Sequence, residues 1–116
     1  LHWIGGAGDD MVPRYYSIGI RTYTSSIANV APKLSLRLHE LASAGKSDEL
    51  TQLMNDLVIP LYALRARRKG YEVSAMKAMM DFIGLAGGPV RPPLVDLRPD
   101  ELESLRVMTE RWRPWL

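Results

Sequence analysis

The sequence predicts an α/β protein whose sheet is only a beginning: two short parallel strands, then four helices. Three observations lead there. The first thirty residues carry two β-rich runs, "LHWI" and "IRTYT", separated by one short helical stretch. Every apolar pattern after Pro32 repeats at three- and four-residue spacing. Two strands cannot form a stable parallel sheet by themselves. The opening segment therefore reads as the end of a larger sheet or barrel, with the helices as its cover and appendage.

Each element has a local reason. Leu1 to Ile4 is a short apolar strand ended by Gly5-Gly6. "GAGDD" is a glycine-rich turn, in which Asp9 or Asp10 is expected to cap a helix over Met11 to Ser17, with Pro13 in its first turn. Gly19 closes that helix, and Ile20 to Thr24 alternates as a second strand. Strand, helix and strand with short links make a βαβ unit, which demands parallel strands and a right-handed crossover. Pro32 opens a helix to about Ala44 with Leu34, Leu38 and Leu41 on one face, and Gly45 ends it. "KSDEL" restarts the chain with Ser47 as N-cap and two acids in the first turn. That helix runs to about Arg68 and should kink at Pro60, which lacks a donor and crowds the preceding turn. Glu72 to Ile83 follows, with Val73, Met76, Met79, Met80 and Ile83 as its apolar stripe. "GLAGGPVRPPL" is an extended connector, and Pro99 opens a last helix to about Trp112.

Composition limits function. The chain has 116 residues, 47% hydrophobic and 24% charged, enough for one core. Its 15 basic and 13 acidic residues leave a net charge of +2, which argues against nucleic acid as a partner. The one basic cluster, "RARRKG", matches the cationic end of a helix closed by Gly70, with an anion site or subunit contact as the other reading. No apolar run is long enough to span a membrane. The absence of cysteine excludes disulfides and thiolate metal sites, and a reducing, cytoplasmic setting is expected. The chain starts at Leu1, inside an apparent strand, so a longer polypeptide is expected.

Parallel strands present functional groups at their C-terminal ends. Two such ends open on one side here. "GGAGDD" offers glycine amides with Asp9 and Asp10; "TSSIAN" offers hydroxyls at a helix start, which suit an anion. The same residues also serve as plain helix caps and turn formers. No base or nucleophile stands out. His2 and His39 are isolated, and the glycine spacing fits neither a dinucleotide site nor a phosphate loop. Lys33 and Lys46 fall near solvated helix surfaces, and Lys77 reads as a structural lysine beside an apolar stripe.

Four stretches taken together resemble the dihydrodipicolinate synthase and N-acetylneuraminate lyase superfamily. They are "GAGDD", "GIRTYTSSIANVAP", "GKSDELTQLMNDLVIPLYALR" and "YEVSAMKAMMDFIGLAGGPVRPPL". "YTSSIANVAP" and "RRKGYEVSAMK" are most similar to its 5-dehydro-4-deoxyglucarate dehydratase branch. The resemblance implies a TIM barrel of about 300 residues. Residues 1–45 would be its last two βα units, and residues 46–116 a C-terminal helical region. It implies a lyase acting through a Schiff base between a 2-oxo or sugar acid and a lysine at the end of strand six, upstream of Leu1. The assisting tyrosine and the carboxylate-binding hydroxyl motif also lie outside this sequence. No catalytic residue, metal or cofactor is then expected here. The resemblance assigns substrate contacts to Gly8, Asp9, Asp10, Thr24, Ser25 and Ser26. The link from Gly8 to Asn29 is one residue shorter than in dihydrodipicolinate synthases, so the last three can shift by one. Implied partners are the rest of the barrel and further copies in a homo-oligomer, dimer or tetramer. A helical assembly module is the reading of another class, should the chain stand alone; by itself it should expose apolar surface and associate.

Overall fold

The structure, a computed structural model, describes residues 1–116. A 3-10 turn at Asp9–Met11 leads into α1, Val12–Ser17. A second 3-10 turn, Ile27–Asn29, precedes α2, Pro32–Ser43. Helix α3, Ser47–Leu53, continues through a π-helical segment, Met54–Val58, into α4, Ile59–Arg65. Helices α5, Tyr71–Phe82, and α6, Pro99–Arg111, follow, and a 3-10 turn at Arg113–Trp115 ends the chain.

The two expected strands do not form as strands. What exists is one parallel bridge between Gly5 and Tyr23. The Gly5 N–H donates to the Thr22 carbonyl at 2.8 Å, and the Thr24 N–H donates to the Gly5 carbonyl at 2.9 Å. The parallel direction is as predicted. The ladder stops because neither segment has a further neighbour here to pair with. Trp3 and Ile4 on this open edge are 70% and 57% exposed.

The helices close a single core. Leu34, Leu38 and Leu41 of α2, Leu61 and Leu64 of α4, Met79 of α5 and Leu105 of α6 are buried together, with Trp112 beside them. Each such side chain contributes about 1.5–3 kcal/mol when fully buried. That exceeds the propensity differences of about 0.7 kcal/mol among ordinary residues, so packing rather than local preference fixes these helices.

Three local expectations are corrected. Neither Asp9 nor Asp10 caps α1: Gly8 stands at the start of the 3-10 turn, and no side chain caps it. Ser47 is the first residue of α3 rather than its cap, which is Lys46. Val73 is 41% exposed. The buried face of α5 runs instead through Tyr71, Ser74, Ala75, Met76 and Met79. Ser74 belongs there because its hydroxyl donates to the Val95 carbonyl at 2.5 Å. At Pro60, where a kink is expected, the long helix instead changes helix type. Missing a donor, Pro60 follows a π-helical turn rather than a simple kink.

Candidate functional site

The bridge brings the two predicted loops side by side. The first loop wraps around Tyr15 of α1, whose hydroxyl accepts the Ala7 and Gly8 N–H groups at 2.7 and 3.0 Å. Gly8 then adopts φ +137, and a Cβ there would stand 2.6 Å from Asp10 Oδ1 and 2.9 Å from Tyr62 Cε1. Only glycine fits that approach.

Asp9 is fully buried. Its Oδ2 accepts the Ser26 N–H at 3.0 Å, the Ile27 N–H at 3.3 Å, the Ser26 hydroxyl at 3.1 Å and the Tyr62 hydroxyl at 3.0 Å. Its Oδ1 accepts the Ser25 hydroxyl. The amides at the start of the second 3-10 turn, which suit an anion, thus already face one: the carboxylate of Asp9. This is the physical reason that Asp9 does not serve α1. A buried carboxylate needs several donors, and the second loop supplies them.

The hydroxyls divide accordingly. Ser25 also accepts from the Ala28 N–H at 3.1 Å and the Ser35 hydroxyl at 2.8 Å. Ser26 also accepts from Arg65 Nη1 at 2.9 Å. Both are therefore held within the protein. Thr24 is exposed, and its hydroxyl makes only a long contact, 3.4 Å, to the Gly5 carbonyl. Asp10 is half-buried beside Gly8. Of the six predicted residues, Thr24 and Asp10 keep the most freely available polar groups.

Tyr62 and Arg65 complete the cluster. The Tyr62 hydroxyl accepts the Asp9 N–H at 2.7 Å while donating to the Asp9 carboxylate. Burial pushes the Tyr62 phenol above its ordinary value, which keeps it in the neutral form that this double role requires. The Arg65 guanidinium lies over the Tyr62 ring, 4.2 Å from its centroid. In the sequence, Arg65 reads only as one cation among four at a helix end; its hidden signal is the three-residue spacing from Tyr62.

The other candidates are occupied elsewhere. His39 pairs with the Tyr16 hydroxyl, and His2 Nε2 lies 3.1 Å from the Thr22 hydroxyl. Lys77 Nζ donates to the Pro89 carbonyl at 2.7 Å, and Lys33 Nζ to the Leu116 carbonyl at 2.9 Å. No group of three or more His, Asp or Glu side chains stands close enough to hold a metal. No helix is long and apolar enough to cross a membrane.

The chain is 39% identical over 111 residues to a probable 5-dehydro-4-deoxyglucarate dehydratase of Ralstonia nicotianae, covering 94% of this chain and 36% of that protein. It is 38% identical over 112 residues to one from Rhizobium rhizogenes, covering 95% of this chain and 37% of that protein. The chain thus spans about a third of the length of these curated relatives. Among solved structures, dihydrodipicolinate synthase from Oceanobacillus iheyensis superposes with a TM-score of 0.86 at 29% identity, over 96% of this chain and 37% of that one. An N-acetylneuraminate lyase from Proteus mirabilis shares the fold, with a TM-score of 0.76 at 23% identity, over 96% of this chain and 36% of that one. The family model described as the dihydrodipicolinate synthetase family matches residues 1–111, nearly the whole chain, and the chain belongs to that family.

Proposed function

We propose that this chain forms the last two βα units and the C-terminal helical region of a Schiff-base lyase, and that the lyase is a 5-dehydro-4-deoxyglucarate dehydratase. The reaction converts 5-dehydro-4-deoxy-D-glucarate to 2,5-dioxopentanoate, releasing water and carbon dioxide. The observation that carries this reading is the similarity to the dehydratases across nearly the whole chain. The nucleophilic lysine lies in the part of the barrel before Leu1, and its imine withdraws electrons from the substrate.

In this reading, residues 1–45 supply one wall of the active site. Thr24 and Asp10 face the substrate's hydroxyl-bearing end, Gly8 lets the backbone come close, and Asp9, Ser25 and Ser26 hold the wall together. The open edge at Trp3 and Ile4 is where the preceding strand pairs.

The test is turnover by the full-length protein. It should release carbon dioxide from 5-dehydro-4-deoxyglucarate, and borohydride should trap its lysine on pyruvate. The likeness to a dihydrodipicolinate synthase at 29% identity favours a second reading, a pyruvate-dependent aldolase or synthase. Condensation of pyruvate with an aldehyde, without carbon dioxide release, would decide for it. A borohydride adduct on the 116-residue chain alone would sink the assignment of the nucleophile to the preceding part of the barrel.

A further inference from the structure

Tyr62 and Arg65 come from the helical region, yet their polar atoms end at the two loops. What aims them is the π-helical segment Met54–Val58. One extra residue in a helical turn rotates everything after it by about 100°. Without that segment, the face that carries Tyr62 and Arg65 would turn away from Asp9. Such insertions cost hydrogen-bond geometry and concentrate at functional sites.

The two side chains then act as one clamp. Tyr62 holds both the amide and the carboxylate of Asp9. Arg65 holds the Ser26 hydroxyl, itself bonded to the same carboxylate. Arg65 Nε is buried without a partner, so the guanidinium gives up one hydrogen bond to sit in this place. Asp9 in turn fixes the Ser26 and Ile27 amides, two and three residues after Thr24. Neither Tyr62 nor Arg65 needs to touch a substrate for this chain of contacts to matter.

We propose that Tyr62 and Arg65 are positioning residues: through Asp9 and Ser26 they fix the backbone that presents Thr24 and Asp10 to the substrate. The proposal rests on the dehydratase reading above.

The test uses the full-length protein with Tyr62→Phe, Arg65→Gln and Arg65→Lys. The first two should raise KM for 5-dehydro-4-deoxyglucarate about tenfold, with kcat changed less than about threefold. Borohydride trapping on pyruvate should keep its wild-type rate, because the lysine is untouched. Exchange of the Ser26 and Ile27 amides should quicken about tenfold, while amides of α6 stay as protected as before. Arg65→Lys keeps the charge but loses the flat stack on Tyr62, and should fall between. Unchanged KM together with unchanged exchange would overturn the proposal. So would parallel loss of trapping, protection and melting temperature, which marks a merely structural role. If the wild-type protein does not turn over the sugar acid, the dehydratase reading fails by itself. Amide exchange at Ser26 and Ile27 then decides the clamp: faster exchange in the variants upholds it, and wild-type rates sink it.

Discussion

The ring of Tyr15 fills the space that a side chain on Gly5 would need. A Cβ built on Gly5 would lie 2.7 Å from both Cε2 and Cζ of that ring. The hydroxyl at the far end of the same ring accepts the Ala7 and Gly8 amides. One tyrosine thus sets both the close approach at the bridge and the course of the loop that leaves it.

Gly5→Ala should therefore push the ring aside and release two amides with it. The expected loss is about 1–3 kcal/mol, the range for overpacking a filled site. Gly6→Ala is the control, since a Cβ there would meet nothing within 4 Å. It should stay within about 0.5 kcal/mol of wild type. Denaturant unfolding of the full-length protein measures both. Equal losses would show that the ring contact is not the cause.

Adjacent carboxylates should separate just as clearly. Asp9 is buried among donors from Ser25, Ser26, Ile27 and Tyr62, whereas Asp10 is half-buried at the loop surface. Asp9→Asn turns one acceptor into an NH2 group facing donors and removes the charge that draws them. It should cost about 2 kcal/mol or more. Asp10→Asn should leave stability within about 0.5 kcal/mol while raising KM, if the substrate meets that residue. The comparison needs melting curves and steady-state kinetics on the same two variants. A stable Asp9→Asn protein would show that the carboxylate is not the organising centre of the loops.

The helices were legible because their signals are local. Pro32 and Pro99 start α2 and α6 where proline geometry places them, and leucines at helical spacing choose the buried faces. The two strands were half legible. Their parallel direction follows from the short crossover, but a ladder depends on neighbours that periodicity cannot supply. Val73 misled because apolar character alone put it on the buried stripe, while Ser74 earned the inner position through its bond to Val95. The site showed the sharpest limit. Asp9 followed by a helix looks like a cap, yet its partners stand seventeen residues away at Ser26 and fifty-three at Tyr62. The π-helical turn that aims Tyr62 and Arg65 also breaks the 3.6-residue register on which a sequence reading of their face depends.

Glu101 gives the protein an acid-sensitive joint between α5 and α6. Its side chain is 2% exposed and accepts the Tyr71 hydroxyl at 2.6 Å, the Arg98 backbone N–H at 3.0 Å and the Arg98 guanidinium at 3.2 Å. The Tyr71 hydrogen bond, more than any other contact, holds the Glu101 carboxyl below its ordinary value of 4.5. A lowered carboxyl contributes stability that is fully present above pH 4.5 and is lost as the pH falls through the folded value. The same bond raises the Tyr71 phenol above its ordinary 10.0, so that contribution is present below pH 10.0 and lost as the pH rises past it. Glu101→Gln should therefore be less stable than wild type at neutral pH, and the gap should narrow steadily on acidification below pH 4.5. Unfolding free energies of the two proteins, followed from neutral pH to about pH 3, read this directly. A gap that stays constant over that range would mean that the ionised form of Glu101 adds nothing to the docking of α6.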